Sequence, residues 1–339
     1  MGIKNFSKIF CGREIKMRNL KDLTGAIDAS VIAYQAALGM KNINALTDES
    51  GNPTIHINVV IAKCLNFHKA GIEQAWVFDF NEKGYTNPSK VFELEKRKKI
   101  KDKSQKKLTE LRSKKDEMFS SDDDEESKQT IDSKIQSQEK IGFSLNDTIV
   151  NDIKFILDCF NIPWCESPRG YEAEAICAFL TNDDDDDDGD DEAFCDFVWT
   201  TDTDAIIYGA KQMVRELKIN KTKTLMLYER DTILTDNELS MDDLRKIAVI
   251  VGCDHCDKTS KIGPKTVLKK FKDILINDEQ KTAIKVFEKS YDISQLTWHN
   301  KDEETFDDDK IKKLLDWLES KNFNRERIMK QISKANHKI

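Results

Sequence analysis

Three short stretches decide the fold: Leu23-Thr24-Gly25-Ala26-Ile27-Asp28, Ala75-Trp76-Val77-Phe78-Asp79, and Phe194 to Thr201 followed by Asp202. Each is an apolar run of strand length, and each stops at an acid. Strands buried on both faces read this way, because no polar face alternates with the apolar one. Helical patterns lie around them. Ala29 onward reads as helix, and Ile57, Val60, Ile61, Cys64, Leu65 and His68 form an i, i+3, i+4, i+7 stripe. Ile149, Ile153, Ile156, Leu157 and Phe160 form another, and Glu172 to Leu180 continues helical. Ser240, with Asp243 three residues on, has the form of a helix N-cap before Leu244, Ile247, Ala248 and Val251. Thr224 to Tyr228 is β-rich, and Ile3, Phe6, Ile9 and Phe10 open the chain with a short amphipathic helix. Strands alternating with helices predict an α/β fold, a mostly parallel sheet flanked by helices.

At 339 residues, the chain is long enough for a large domain plus an addition. Its 54 Lys+Arg against 62 Asp+Glu give a net charge of −8, which taken alone argues against a nucleic-acid partner. The placement of the acids reverses that reading. Nine lie in Asp183–Glu192 and five in Asp122–Glu126; without those fourteen, 48 acids face 54 bases, a net of +6. Such runs read as solvated loops. No apolar run reaches the roughly 18 residues of a membrane span, and Met1–Phe6 lacks a signal-peptide apolar region. The eight cysteines are scattered; only Cys253 and Cys256 form a CxxC, with no second pair to complete a zinc site. Reduced thiols predict an intracellular protein.

In open α/β sheets the ligand site lies at the carboxyl ends of the strands, so Asp28, Asp79 and the pair Asp202/Asp204 should converge on one rim. Asp202 and Asp204 are i, i+2 and would face one side of an extended segment. Glu172 and Glu174 have the same spacing, which diverges on a helix, so they can share a site only around a helix N-terminus. Asp254 follows the helix begun at Ser240. Any one of these acids is more often a solvated strand end. Seven on one rim would repel one another unless cations sit among them. Carboxylates without His or Cys favour a hard ion, Mg²⁺ or Mn²⁺. Two such ions about 4 Å apart suit in-line phosphodiester displacement.

The motifs carrying these acids resemble the flap endonuclease/XPG structure-specific 5′ nucleases. Met1-Gly2-Ile3-Lys4-Asn5-Phe6 is similar to that family's N-terminal MGI-x-x-Leu/Phe. Ile27-Asp28-Ala29-Ser30 with Tyr34-Gln35 resembles IDAS…YQ, and Val77-Phe78-Asp79 resembles VFDG. Glu172-Ala173-Glu174-Ala175 matches EAEA, Thr201-Asp202-Thr203-Asp204 is similar to Ser/Thr-x-Asp-x-Asp, and Gly252-Cys253-Asp254-His255-Cys256 resembles GSDYC. Ile262-Gly263-Pro264-Lys265-Thr266-Val267 resembles the GIGPK-x-A of a helix–two-turn–helix element that binds duplex DNA. The motifs run in family order from residue 1 to about 275. Phe80-Asn81 departs from the glycine of VFDG, and Pro168–Tyr171 lengthens the approach to EAEA.

The resemblance implies a PIN-like nuclease core over residues 1–257, with a helical arch insertion at about 85–145 and an acidic loop at 182–193. It also implies a helix–two-turn–helix region over 258–290, followed by a helical tail over 291–339. Asp28, Asp79, Glu172 and Glu174 would serve one Mg²⁺; Asp202, Asp204 and Asp254, helped by Glu174, would serve the other. Mn²⁺ would substitute, and K⁺ would bind near Gly263-Pro264. Lys90 and Arg97, i, i+7 in a stretch with twelve bases against four acids between Lys90 and Lys115, would contact the scissile phosphate. DNA contacts fall on Gly2, Tyr34, Lys261, Gly263, Lys265 and Lys269, and Tyr34 would stack on a base. His56 matches a segment near a 3′-flap pocket, and equally fits a packing role. The implied activity is a Mg²⁺-dependent 5′ flap endonuclease or 5′–3′ exonuclease in DNA replication, repair or recombination. The partner is branched DNA and the chain a monomer, placed in a nucleus or, for a viral chain, at a cytoplasmic replication site; replication or repair proteins would be further partners, with no clear clamp-binding motif to mark the contact. Two competing readings are a catalytically silent branched-DNA scaffold and a PIN-like ribonuclease.

Overall fold

The computed structural model describes residues 2–39, 48, 54–119, 125–143, 145–182, 193–219, 222–301 and 307–336. Its strands are β1 (Arg13–Ile15), β2 (Thr24–Asp28), β3 (Glu73–Phe78), β4 (Trp164–Glu166), β5 (Phe197–Trp199), β6 (Gln212–Ile219) and β7 (Thr222–Glu229). They form one seven-stranded sheet in the order β1-β7-β6-β5-β2-β3-β4. The five strands from β6 to β4 in that order are parallel; β7 is antiparallel to both β6 and β1. The three strands singled out by their terminal acids are therefore neighbours at the centre. Gly25 lets two of them close up, since a Cβ there would stand 2.7 Å from the Phe197 ring.

The helices are α1 (Phe6–Ile9), α2 (Ala29–Gly39), α3 (Ile55–Lys69), α4 (Val91–Phe119), α5 (Glu125–Gly142), α6 (Asp147–Phe160), α7 (Ala173–Phe179), α8 (Asp204–Ile207), α9 (Arg230–Asp236), α10 (Met241–Val251), α11 (Pro264–Lys270), α12 (Asp278–Phe287), α13 (Asp308–Ser320) and α14 (Arg325–Asn336). Successive strand residues feed opposite faces. Ala26, Ala75, Val77 and Val198 join the core made with α1, α7, α8, α10, α11 and α12. Ile27, Trp76, Phe78, Phe197 and Trp199 join the core made with α2, α3, α6, α13 and α14. Small residues on the first face let α7 lie close to β2 and β3. The stripe Ile311, Leu314, Leu315 and Leu318 is buried in the second core, and Trp164 stacks on His299 at 3.8 Å, so the chain beyond residue 291 packs on the central layers.

Several expectations change. The strand expected from Phe194 to Thr201 is confined to Phe197–Trp199, because Asp196 exchanges hydrogen bonds with the first residue of β2 (Thr24 N to Asp196 Oδ2, 2.7 Å; Asp196 N to Thr24 O, 2.8 Å) instead of continuing the ladder. The helical arch implied for the charged segment after residue 90 is present as a pair of long helices. The 29 residues of α4 run roughly 43 Å at 1.5 Å per residue and pack along α5. Of the expected acidic runs, residues 122–124 and 183–192 lie outside the described residues; Glu125 and Glu126 begin α5.

Candidate active site

The carboxyl ends of β2, β3 and β5 open on one rim, and each acid is fixed there by its local backbone. Asp28 ends β2; its oxygens accept from Val31 N and Thr200 Oγ1, both at 3.1 Å. Asp79 follows β3 and accepts from Ser30 Oγ (3.1 Å), Ala173 N (3.1 Å) and Lys90 Nζ (2.8 Å). Glu172 is the N-cap residue of α7 in extended backbone, and Glu174 lies in the first turn, so the pair wraps a helix start as its spacing requires. Asp254 follows α10, its Oδ2 3.4 Å from Gly2 N. Gly2 has φ +79°, and a Cβ there would lie 2.2 Å from Asp202 Oδ1, so only glycine brings the N-terminal segment this close.

Asp202 and Asp204 do not share an extended segment. The chain turns at Thr203 into α8, and Asp204 N donates to Asp202 Oδ1 at 3.1 Å. The short aspartate side chain competes with the strand ladder for a backbone N–H and starts a helix instead. Both acids are nonetheless buried on the rim.

The acids sense one another. Burial, with Asp79 and Asp202 nearby, pushes the Asp28 carboxyl up to about 7. Burial and Asp254 push Asp202 up to about 6. Burial with Glu172 and Asp202 lifts Glu174 well above the carboxylate range, and burial with Asp202 does the same to Asp204. Asp79 is the exception: burial would raise it, but Lys90 holds it below its ordinary value. Burial disfavours the Lys90 ammonium too, yet Asp79, Glu172 and Glu174 keep it charged.

Hard divalent ions fit this donor set. All the donors are oxygens, and the two Asp204 oxygens are buried without a partner. Among the described residues, no three side chains are already grouped around one ion. The Lys90 Nζ lies between Asp79 and Glu172 (3.7 Å), and Ser89 Oγ donates to Glu172 Oε1 at 2.6 Å. The fit therefore rests on donor chemistry and unpartnered oxygens, not on finished coordination.

The arch rises from this rim. A 3-10 turn, Pro88–Lys90, capped by the Asn87 side chain, leads into α4. Arg97, one side of its helix on, pairs with Glu93 and sits 5.9 Å from the Tyr34 ring centre. Glu93 is an eighth rim carboxylate that sequence reasoning passed over. Burial, opposed by Arg97 and reinforced by Asp254, pushes it up to about 7. Its i, i+4 spacing to Arg97 is shared by Glu95 with Lys99 and Glu110 with Lys114, so the sequence does not set it apart. Tyr34 meets Phe143 edge-on at 5.9 Å. Beside them a cavity of about 1500 Å³ is lined by Tyr34, Lys63, Arg97, Lys101, Phe143 and Trp199. Its lining also includes Thr201 but none of the seven carboxylates, so it adjoins the rim instead of containing it.

The remaining residues fall elsewhere. Lys258, Lys261, Lys265, Lys269, Lys270 and Lys272 are all exposed, while Val267 and Phe271 anchor the segment in the core. Gly263 precedes α11, its N–H donating to Thr266 Oγ1 at 3.2 Å. His56 is buried, with Nε2 2.8 Å from Asp152 Oδ2. All eight cysteines are free; Cys11 alone is exposed.

Comparison with known proteins bears on the family and the fold. Residues 1–104 match the XPG N-terminal domain and residues 161–254 the XPG I-region. Flap endonuclease 1 of Zea mays is 29% identical, over 98% of this chain and 86% of its own. Flap endonuclease 1 of Entamoeba dispar is 28% identical over 98% and 87%. Flap endonuclease-1 from Methanococcus jannaschii superposes with a TM-score of 0.68 at 22% identity, covering 98% of this chain and 97% of that one. The catalytic core of Rad2 in complex with DNA substrate gives 0.66 at 16%, covering 98% and 100%. At these identities the two structures establish the shared fold.

Proposed function

The chain belongs to the flap endonuclease/XPG family of nucleases, and from that premise we propose that it is a divalent-metal-dependent, structure-specific 5′ nuclease that cuts branched DNA near a single-strand/duplex junction. One observation carries the reading: seven carboxylates from the ends of three adjacent parallel strands, two helix starts and the loop after α10 meet on one rim, with the Asp204 oxygens buried and unpartnered. Asp28, Asp79, Glu172 and Glu174 would hold one Mg²⁺, and Asp202, Asp204 and Asp254 with Glu174 the other. When bound, such ions supply an activated water and a Lewis acid for the leaving oxygen. Mn²⁺ in their place, and K⁺ near Gly263, belong to the same proposal.

The chain's own residues do the rest. Lys90 and Arg97 present fixed positive charge where the scissile phosphodiester develops negative charge, a stabilisation that costs no rearrangement at the moment of reaction. Lys90 reaches the phosphate by exchanging its contact with Asp79 for one with a phosphate oxygen. Tyr34 offers an aromatic face for a base beside the arch. Gly2 keeps the N-terminal backbone against Asp202 and Asp254, close enough to meet a strand end. Lys261, Lys265 and Lys269, exposed on either side of Gly263, neutralise phosphates of the duplex. The cavity between α4, α5 and the sheet, basic and aromatic at once, suits the single 5′ strand. Hydrolysis of this kind leaves a 5′-phosphate and a 3′-hydroxyl.

The test is Asp204→Ala on a labelled 5′-flap duplex. Cutting should fall by about three orders of magnitude or more, as for loss of a group that acts only in the transition state, while DNA binding is largely kept. Undiminished cutting would sink the two-metal assignment.

A further inference from the structure

The loop after α10 holds more than Asp254. The His255 ring is buried, with Nδ1 3.1 Å from the Ser89 carbonyl oxygen and Nε2 3.2 Å from the Tyr208 hydroxyl. A carbonyl can only accept, so Nδ1 carries the proton and donates to Ser89 O; Nε2 then accepts from Tyr208. Each partner belongs to the machinery. Ser89 immediately precedes Lys90, and its own hydroxyl donates to Glu172. Tyr208 closes α8, the helix begun by Asp204, its N–H bonding Asp204 O at 2.9 Å.

The contacts extend to α12. Both His255 and Tyr208 pack edge-on against Phe287 of α12 at 5.0 Å. Asp257, two residues on, pairs with Lys96 of α4 at 2.9 Å while its N–H donates to Glu279 of α12 at 3.0 Å. One short loop thus touches the arch root, α8 and α12. In GSDYC the position of His255 is a tyrosine, so this arrangement is particular to the chain's own residue.

We propose that His255 is a positioning residue: by holding the Ser89 carbonyl it fixes the turn from which Lys90 is aimed at the scissile phosphate. This rests on the reading that Lys90 serves that phosphate. Phenylalanine at 255 keeps the packing on Phe287 and loses both hydrogen bonds; asparagine restores an N–H toward Ser89 O. Single-turnover cleavage of a 5′-flap duplex with Mg²⁺ is measured for the full chain, His255→Phe, His255→Asn, Lys90→Ala and Lys90→Ala/His255→Phe, with flap affinity and Tm alongside.

Loss of a buried, charge-coupled hydrogen bond should slow His255→Phe about tenfold, with flap affinity unchanged and His255→Asn recovering most of the rate. In the Lys90→Ala background, His255→Phe should have no further effect, because the two residues act as one unit. A full tenfold loss on top of Lys90→Ala would overturn the proposal, as would asparagine no better than phenylalanine, or a loss confined to affinity. If Lys90→Ala alone cuts at the full rate, it is the Lys90 reading that fails. Should His255→Phe not fold, Tyr208→Phe takes its place in the same cycle: its slowing, too, should vanish in the Lys90→Ala background, and persistence would be contrary.

Discussion

The rim and the arch face each other across the same site but are built on opposite principles. The rim stands on β2, β3 and β5, where Ile27, Trp76, Val77, Phe197 and Val198 are fully buried and the sheet is covered on both faces. The arch, α4 with α5, buries Leu108 and Ile135 among its described apolar residues. Otherwise it is held by polar contacts such as Ser104 to the Gln138 carbonyl (2.8 Å), Arg112–Glu139 (3.0 Å) and Lys115–Asp132 (2.6 Å). Val91, Leu94, Ile100 and Ile141 remain exposed. A close-packed scaffold can hold like charges together against their repulsion; a helical pair with so little apolar contact cannot, and its position is set where it is rooted. The root is where the two regions trade contacts: Lys90 on Asp79, Ser89 on Glu172 and on His255.

Truncation is the strongest way to break the comparison. Ile27→Ala, at a fully buried position, should cost about 2–5 kcal/mol of stability, as large-to-small core changes do. Leu108→Ala in the arch should leave global Tm within a degree or so, and instead speed amide exchange in α4 and α5. Equal losses of Tm would mean that the arch is part of the same cooperative unit. Next in size are Lys90→Ala and Arg97→Ala, each expected to slow cleavage about 100- to 1,000-fold, in line with loss of one electrostatic donor. Flap affinity should hold, and a purely affinity-based effect would remove both residues from the chemistry.

The smallest effect links metal to pH. Asp28 and Asp202 titrate near 7 and 6 in the folded chain, above the ordinary aspartate value. The folded state therefore binds their protons more tightly than the unfolded chain does. Their contribution to stability is complete below about pH 4 and is lost as pH climbs through 6 to 7. Metal-free protein should thus lose stability over that window. Mg²⁺ at millimolar concentration should raise Tm by a few degrees at pH 8, where the carboxylates are charged, and by less at pH 5.5. A shift of equal size at both pH values would place the ion elsewhere.

The central layers were legible because parallel buried strands leave an unbroken apolar run, and the acids at their ends mark where the run meets solvent. The Ser240 cap was legible for a similar reason: the capping box is local, and both of its hydrogen bonds are present at 3.1 Å. The strands missed were those whose support is remote. β1 and β4 are three residues each, and β6 sets Met213-Val214 and Arg215-Glu216 side by side, so neither alternation nor an apolar run marks it; Glu216 on β6 is paired by Lys63 of α3 at 2.7 Å, a partner 153 residues away. The turn at Thr203 escaped because i, i+2 spacing reads as a strand wherever the chain is taken to be extended. Glu93 was hidden in a run of charges, since only burial distinguishes it from its solvated neighbours. The His255 contacts join segments 166 and 47 residues apart, which no local pattern announces.

The central claim is that the seven rim carboxylates hold divalent ions, and anomalous diffraction from crystals soaked in Mn²⁺ tests it most directly. Two peaks roughly 4 Å apart between Asp28, Asp79, Glu172, Glu174, Asp202, Asp204 and Asp254 are expected, with at least one lost in Asp204→Ala. A rim without peaks at saturating Mn²⁺, or peaks unchanged by Asp204→Ala, would contradict it.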